Sequence, residues 1–244
     1  MFLRSPDGDP CMKKKTVAIH TIVLIRHAKT DMKWSARYDS TGFDAACEAY
    51  EESHILLDTV AEDLRGKSVP DRFEVLAGTR PRAVQTAHAL YDIPEDGLRT
   101  TPLLDEVPMR SFKDTDRMLP LWLWEVMARV QWFFGSKRQP ETRKMTKERI
   151  SGLIALLESE EKSSFLLISH GFYMRELMNG MRRRGFNILR RNMIAVEHLE
   201  RVRITPRDLH CGGCRHNCML TNPGCDVGRD KARRLGFQPP STIR

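Results

Sequence analysis

Two apolar runs of this chain are each followed, after one intervening residue, by a histidine, and this feature constrains the fold most. Residues 22–25 read Ile-Val-Leu-Ile and lead directly into Arg26 and His27, while residues 165–168 read Phe-Leu-Leu-Ile and end just before Ser169-His170. Short continuous apolar runs are typical of strands buried on both faces, as in a parallel sheet covered by helices. Because α/β sheets build their sites at the carboxyl ends of strands, we expect both histidines at one sheet edge.

Strand-like and helix-like segments alternate along the chain, which is typical of a mostly parallel sheet between helical layers. The predicted strands are 16–25, 73–78, 98–104, 164–169 and 192–199. The predicted helices are 44–64, 81–91 with Thr79 as a possible N-cap, 118–134, 143–160 and 172–184. The sequence therefore predicts a three-layer α/β/α fold with a mostly parallel central sheet.

The length of 244 residues fits one large domain with small appendages. We expect a disordered extension over 1–15, a main domain over 16–204 and a Cys-rich basic tail over 205–244. With 41% hydrophobic and 30% charged residues, the composition excludes a fibrous or disordered chain. The most apolar stretch, 119–134, is too short and too charged for a transmembrane helix, and no secretion signal is evident, so a cytoplasmic protein without a membrane partner is predicted.

The net charge of +8 is concentrated at the C-terminal end of the chain, where residues 181–244 hold 14 basic and 5 acidic side chains. Such a region can attract an anionic substrate or nucleic acid. We favour a solvated basic surface for most of these side chains, and nucleic acid is not an expected partner.

Four short motifs occur in a fixed order, and together they resemble the histidine phosphatase superfamily of phosphoglycerate mutase-like proteins. The motifs are Arg-His-Ala at 26–28, Arg-Ala-Val-Gln-Thr-Ala at 82–87, Leu-Leu-Asp-Glu at 103–106 and Ser-His-Gly at 169–171. Pro140-Glu141-Thr142, followed by Arg149, resembles a further segment of this family. Ala28 is a departure, since the family carries glycine there.

The residue types fit the transfer of a phosphoryl group. His27, neutral at one ring nitrogen, can attack phosphorus and form a phosphohistidine. Arg26 and Arg82 can neutralise the phosphate dianion, because guanidinium groups bind phosphate oxygens in a bidentate way. Arg82 also lies in the first turn of a predicted helix, where an anion is favoured.

The remaining candidate site residues complete this chemistry. His170 would bind phosphoryl oxygens and stabilise charge in the transition state. Glu106 is the candidate acid that protonates the leaving oxygen, although Asp105 beside it is the alternative, because a shift of one residue in an extended segment reverses the faces. Arg37 is a candidate substrate-binding residue, with a solvated loop position as the alternative. We expect no metal ion to take part in catalysis.

The resemblance also implies that residues 107–142 form a helical cap insertion over the active site. This segment contains five aromatic side chains: Trp122, Trp124, Trp132, Phe133 and Phe134. At helical spacing, we expect these aromatics chiefly to bury the cap's own helix, and the alternative is that some line an apolar pocket.

The predicted function is a phosphomonoester hydrolase that acts through a phosphohistidine on His27. Its partner would be a phosphorylated small molecule or a phosphoprotein, and the sequence specifies no oligomeric state. The alternatives are a phosphoglycerate mutase-like phosphotransferase, or a non-catalytic module that binds a phosphorylated ligand or nucleic acid.

Four of the six cysteines lie close together near the C-terminus, at Cys211, Cys214, Cys218 and Cys225. Thiols this dense in a reducing compartment are more often metal ligands than disulfides. A structural zinc ion bound by these four thiolates is the first expectation. An iron–sulfur cluster is the second, followed by disulfides or free thiols.

Overall fold

The computed structural model describes residues 19, 21–60, 62–193 and 200–206. The predicted extension over 1–15 lies outside these residues, as does the tail beyond residue 206 with its four cysteines.

Six strands form one sheet in the order β4-β3-β6-β1-β8-β7, and β2 and β5 form a separate antiparallel pair. The strands are β1 (Thr21–Arg26), β2 (Arg37–Tyr38), β3 (Phe73–Ala77), β4 (Arg99–Thr100), β5 (Leu119–Pro120), β6 (Ser164–Ser169), β7 (Phe186–Met193) and β8 (Glu200–Pro206). The four strands β4, β3, β6 and β1 are parallel, whereas β8 runs antiparallel to β1 and to β7. The prediction of a mostly parallel sheet is confirmed.

The helices are α1 (Ser40–Glu51), α2 (Pro81–Leu90), α3 (Leu121–Phe134), α4 (Arg143–Glu158) and α5 (Gly171–Arg183). Short 3₁₀ turns lie at Leu57–Thr59, Glu62–Leu64, Glu95–Gly97 and Pro102–Leu104. Within the described part of the chain, no helix has both the length and the apolar character that crossing a bilayer requires.

The side chains of β1 alternate between two buried clusters, because successive residues of a strand point to opposite faces. Ile22 and Leu24 pack in one cluster with residues of α4 and α5, such as Leu153. Val23 and Ile25 belong to the other cluster, together with residues of α2. The sheet is therefore covered on both faces, as the predicted three-layer arrangement requires.

The register between β1 and β6 determines where the two histidines emerge. Arg26 is paired with Ser169 across the parallel ladder, so His27 and His170 both follow at the carboxyl edge of the sheet. A backbone hydrogen bond of 2.9 Å from the His27 N–H to the Ser169 carbonyl continues the alignment past the strands.

The predicted helix over 44–64 is wrong at both ends. Helix α1 begins at Ser40, where the Asp39 side chain accepts a hydrogen bond of 2.7 Å from the Gly42 N–H, and it ends at Glu51. Beyond it, the Leu56 N–H donates to the Lys29 carbonyl at 2.8 Å, so this segment pairs with the loop after β1 instead of continuing the helix. Apolar spacing extended the prediction across this break.

Three smaller predictions also need correction. The N-cap position of α2 is Arg80 and not Thr79, whose N–H and hydroxyl both donate to Asp105 at 2.6 Å. The strand predicted over 98–104 is limited to β4, because a 3₁₀ turn follows it. The strand predicted over 192–199 overlaps only the end of β7, and residues 194–199 lie outside the described residues.

Candidate active site

The nucleophile candidate, His27, is buried at the end of β1 with its ring orientation fixed by the backbone. Its Nδ1 atom lies 2.7 Å from the Ala28 carbonyl oxygen. Since a carbonyl only accepts hydrogen bonds, the neutral ring carries its proton on Nδ1. The lone pair therefore lies on Nε2, the atom that would attack phosphorus.

His170 has the opposite tautomer. Its Nδ1 accepts a hydrogen bond of 3.2 Å from Arg82 Nε, and a guanidinium group only donates, so the ring proton is on Nε2. This Nε2 is buried and has no hydrogen-bond partner among the described residues. Burial, reinforced by His27 and Arg82, holds the pKa of His170 well below its ordinary value, so the ring is neutral.

The two rings lie next to each other at the sheet edge, with their centroids 5.1 Å apart and their planes tilted by 54°. His27 therefore carries a lone pair on Nε2, and the neighbouring His170 ring carries an N–H donor without a partner among the described residues. A tetrahedral anion bound next to both rings would accept from His170 while being exposed to attack by His27.

Arg26 adds a cation to this anion site. Its guanidinium packs directly on Gly171, where a Cβ atom would lie 3.1 Å from Arg26 Cζ. The Nε atom of Arg26 is buried without a partner among the described residues. The absence of a side chain at position 171 is thus what lets the guanidinium approach the start of α5.

Arg82 is fully buried and directs its donors mainly at the protein. Besides His170, it binds the carbonyl oxygens of Tyr50 and Glu51, at 2.6 and 3.0 Å from Nη1, and Glu51 Oε1 at 3.4 Å from Nη2. Its guanidinium carbon also lies 4.2 Å from the centre of the Tyr50 ring. Arg82 therefore fixes both His170 and the C-terminal end of α1.

Glu51 connects two arginines beside the histidines. Its Oε2 lies 2.6 Å from Arg80 Nε, and its Oε1 lies 3.4 Å from Arg82 Nη2. Burial raises the pKa of Glu51 above its ordinary value, and the two arginines partly oppose that shift. A phosphate dianion arriving here would meet this carboxylate as a competing anion for the guanidinium groups.

The structure separates the two acid candidates. The Asp105 carboxylate accepts from the Thr79 N–H and hydroxyl, as described above, and does not line the cavity. Glu106 lies at the start of α5 and accepts from the backbone N–H groups of Val107 and Tyr173, both at 2.9 Å, and of Phe172 at 3.2 Å. Two of these donors belong to the first turn of the helix, where backbone N–H groups have no intrahelical acceptor and a negative charge is favoured. Of the two carboxyl groups, Glu106 is the one that lines the cavity.

The segment that carries both acids is held from behind by Arg149. This arginine forms a two-pronged ion pair with Glu141, at 3.0 and 3.1 Å, and donates to the Asp105 carbonyl at 2.7 Å. Both side chains are largely buried, so the pair is shielded from water. The motif residues Glu141 and Arg149 thus position the acid without reaching the histidines.

A cavity of about 340 Å³ lies beside this cluster, although His27, His170 and Arg82 are not among the residues that line it. Arg26, Tyr50, Glu106, Arg129 and Phe172 are among the residues that line it. The predicted cap region contributes to its wall through residues of 107–109 and α3.

Arg37 and the five aromatic residues of the predicted cap are not among the residues that line this cavity. Both Arg37 Nε and Nη2 donate to the Met118 carbonyl, at 3.1 and 2.7 Å. The prediction that these aromatics bury the cap's own helix is confirmed for Trp124 and Trp132, which are buried. It is wrong for the other three, which are exposed: Trp122, Phe133 and Phe134.

Tyr50 and Glu51 are site residues that no sequence pattern predicted. Both lie in the last turn of α1, in a segment whose helical spacing indicated only core packing. A tyrosine next to an acidic residue carries no motif of its own. Their position follows from the tertiary placement of α1, which no local pattern specifies.

The chain matches the model of the histidine phosphatase superfamily (branch 1) over residues 22–213 and belongs to that superfamily. The match covers both histidine motifs and supports phosphatase or mutase-like activity as the general class. A search of curated protein sequences found no match.

Solved structures similar to this chain have low sequence identity. A phosphoserine phosphatase from Entamoeba histolytica, in complex with 3-phosphoglyceric acid, is 14% identical with a TM-score of 0.41, covering 67% of this chain and 80% of its own. A mycobacterial glucosyl-3-phosphoglycerate phosphatase is 19% identical with a TM-score of 0.38, and the match covers 67% of this chain and 82% of the phosphatase chain. Mycobacterial hydrolase 2 is 17% identical with a TM-score of 0.41, and the match covers 67% of this chain and 72% of the hydrolase chain.

Proposed function

We propose that the protein hydrolyses phosphomonoesters through a phosphohistidine on His27. The observation that carries this proposal is the pair of opposite tautomers, in which His27 Nε2 has a lone pair and His170 Nε2 carries an unpartnered proton in the described part of the structure. A nucleophile beside an anion-binding donor is what phosphoryl transfer needs.

In the first step, His27 Nε2 forms a bond to phosphorus while the bond from phosphorus to the ester oxygen breaks. His170 Nε2–H and Arg26 donate to the non-bridging oxygens and balance the charge of the transition state. Arg82 holds His170 in the required tautomer through its Nε atom. That Arg82 also clamps the phosphoryl group directly stays a prediction.

Glu106 supplies the proton that the leaving oxygen takes up with the bonding electron pair. Its Oε2 accepts only the longest of the three backbone hydrogen bonds, so this oxygen has the greater capacity to carry a proton toward the cavity. In the second step, the Glu106 carboxylate removes a proton from water, which attacks phosphorus and releases phosphate and neutral His27.

The test is a rapid quench with a ³²P-labelled ester, followed by mapping of the label. We expect acid-labile, base-stable label on His27 in the wild type and none in His27→Ala. The matched control is His54→Ala, which removes an exposed histidine that bonds Gln85. Turnover without label on His27, or full activity of His27→Ala, would contradict the proposal in favour of direct attack by water.

The substrate and the hydrolase character need a second experiment. A panel of phosphorylated metabolites and phosphopeptides, assayed for released phosphate with His27→Ala as blank, would identify the substrate class. A hydrolase releases inorganic phosphate from the phosphoenzyme in water alone. A mutase would instead retain the label until a second hydroxyl compound is added.

A further inference from the structure

Tyr50 brings a hydroxyl group directly to the nucleophilic atom of the candidate site. Its oxygen lies 3.3 Å from His27 Nε2, and the same side chain lines the cavity. Because the neutral His27 ring carries its proton on Nδ1, Nε2 accepts and the Tyr50 hydroxyl donates. No motif of the sequence and no comparison assigns a role to this residue.

We propose that Tyr50 is a further catalytic residue, whose hydroxyl donates first to His27 Nε2 and then to a non-bridging oxygen of the phosphoryl group that His27 receives. This inference rests on the proposed function. Phosphorus must approach along the lone pair that the hydroxyl now contacts. As the group enters, the hydroxyl turns from the nitrogen to an oxygen on phosphorus.

The change of acceptor makes the hydroxyl favour the transition state. Hydrogen bonds to ionised acceptors are about twice as strong as those between neutral groups, so the bond to phosphoryl oxygen exceeds the bond lost at neutral Nε2. Only an interaction that strengthens in the transition state accelerates the step. Burial raises the pKa of Tyr50 above its ordinary value, so the hydroxyl keeps the proton it donates.

Tyr50 also has structural contacts, and these do not depend on the hydroxyl group. Its ring lies under the Arg82 guanidinium and 5.5 Å from the Trp34 ring, and its backbone carbonyl accepts from Arg82. Replacement by phenylalanine keeps the ring and the carbonyl and removes only the hydroxyl. A loss in Tyr50→Phe therefore measures the donor and not the packing.

The experiment compares wild type, Tyr50→Phe and Tyr38→Phe with p-nitrophenyl phosphate and with vanadate, which mimics five-coordinate phosphorus. Tyr38 is the matched control, because its hydroxyl accepts from the Ser35 N–H and lies outside the cavity. We expect Tyr50→Phe to lower kcat/KM and the rate of His27 labelling by roughly tenfold and to weaken vanadate inhibition by a similar factor. Tyr38→Phe should match the wild type.

Three results would overturn the inference. A kcat/KM of Tyr50→Phe within twofold of the wild-type value would show that the hydroxyl is not a catalytic donor. A higher kcat/KM would mean that the hydroxyl only blocks the lone pair. Slower turnover with unchanged vanadate affinity would indicate a structural role. Each of these is distinguishable from failure of the proposed function, in which the wild type itself shows no label on His27.

A second variant covers the case in which Tyr50→Phe does not fold. Difluorotyrosine at position 50 keeps the hydroxyl but ionises at a lower pH than tyrosine. Above that pH, the phenolate no longer donates and repels the phosphate, so we expect a new descending limb in kcat/KM against pH. A profile that superimposes on the wild-type profile would refute the proposal.

Discussion

Replacing Glu106 by glutamine tests the acid role and the helix-capping role of this side chain together. The glutamine oxygen can retain two of the three backbone hydrogen bonds, but its amide NH₂ would face the third N–H. The Phe172 N–H, at 3.2 Å from Oε2, is the donor that is then left unpaired. Removing one hydrogen bond to a charged group costs about 2 kcal/mol. In a chain of this size, we expect Tm to fall by roughly 4–8 °C.

The kinetic loss should depend on the leaving group. An alkyl oxygen needs a proton as it leaves, so kcat/KM for an alkyl phosphate should fall by about 10²–10⁴ in Glu106→Gln. For p-nitrophenyl phosphate, whose leaving group is stable as an anion, the loss in kcat/KM should be less than about tenfold. The release of p-nitrophenol should then show a burst, because water attack on the phosphoenzyme has lost its base.

The assay measures kcat/KM and single-turnover labelling for both esters, with Asp105→Asn as the matched control. Asp105 bonds Thr79 outside the cavity, so its replacement should lower Tm without distinguishing the two esters. Equal losses of kcat/KM on both esters in Glu106→Gln would refute the acid assignment. A loss confined to the alkyl ester in Asp105→Asn would transfer the role to Asp105.

Three further predictions concern pH, thiol reactivity and the tail. Since the folded pKa of His170 lies well below 6.5, its neutral form contributes stability that is present above pH 6.5 and lost as pH falls. The advantage of wild type over His170→Gln in free energy of unfolding should shrink by up to about 2 kcal/mol between pH 7 and pH 5 in urea titrations. Burial raises the pKa of Cys47 to about 12, so this thiol should react slowly with iodoacetamide in the native protein. Peptide mapping should find Cys47 unmodified at pH 8 in the native protein and modified in urea. Labelling of Cys47 in the native protein would contradict this environment. Elemental analysis of protein purified without chelator should give about one zinc per chain, bound by Cys211, Cys214, Cys218 and Cys225, whereas iron with sulfide would favour the cluster.

The parts of the fold that local patterns specify were predictable from the sequence. Continuous apolar runs located β1 and β6, and their parallel pairing brought His27 and His170 to one edge. Pro81 in the first turn marked the start of α2, where its missing N–H is tolerated. The two apolar runs and the start of α2 are local patterns that a single sequence displays, and the general rule that α/β sheets build their sites at strand carboxyl ends placed the two histidines together.

The parts that depend on distant contacts were not predictable. Helix α1 ends at Glu51, where Arg82, 31 residues further along, binds its last carbonyl groups. The choice of Glu106 over Asp105 depends on the first turn of α5, 67 residues away from the acid at Tyr173. Local spacing carries no information on either contact, so it predicts too long a helix and does not distinguish the two carboxylates.

Helix α1 buries few of its side chains, and this has a consequence for how the protein loses activity. Only Ser40, Phe43 and Ala46 of this helix are buried, yet its last turn supplies Tyr50 and Glu51 to the candidate active site. Segments with few buried apolar contacts open at lower free energy than the sheet that supports them. We expect detachment of α1 as a partial unfolding event, so that mild denaturant abolishes turnover while the circular dichroism of the sheet persists.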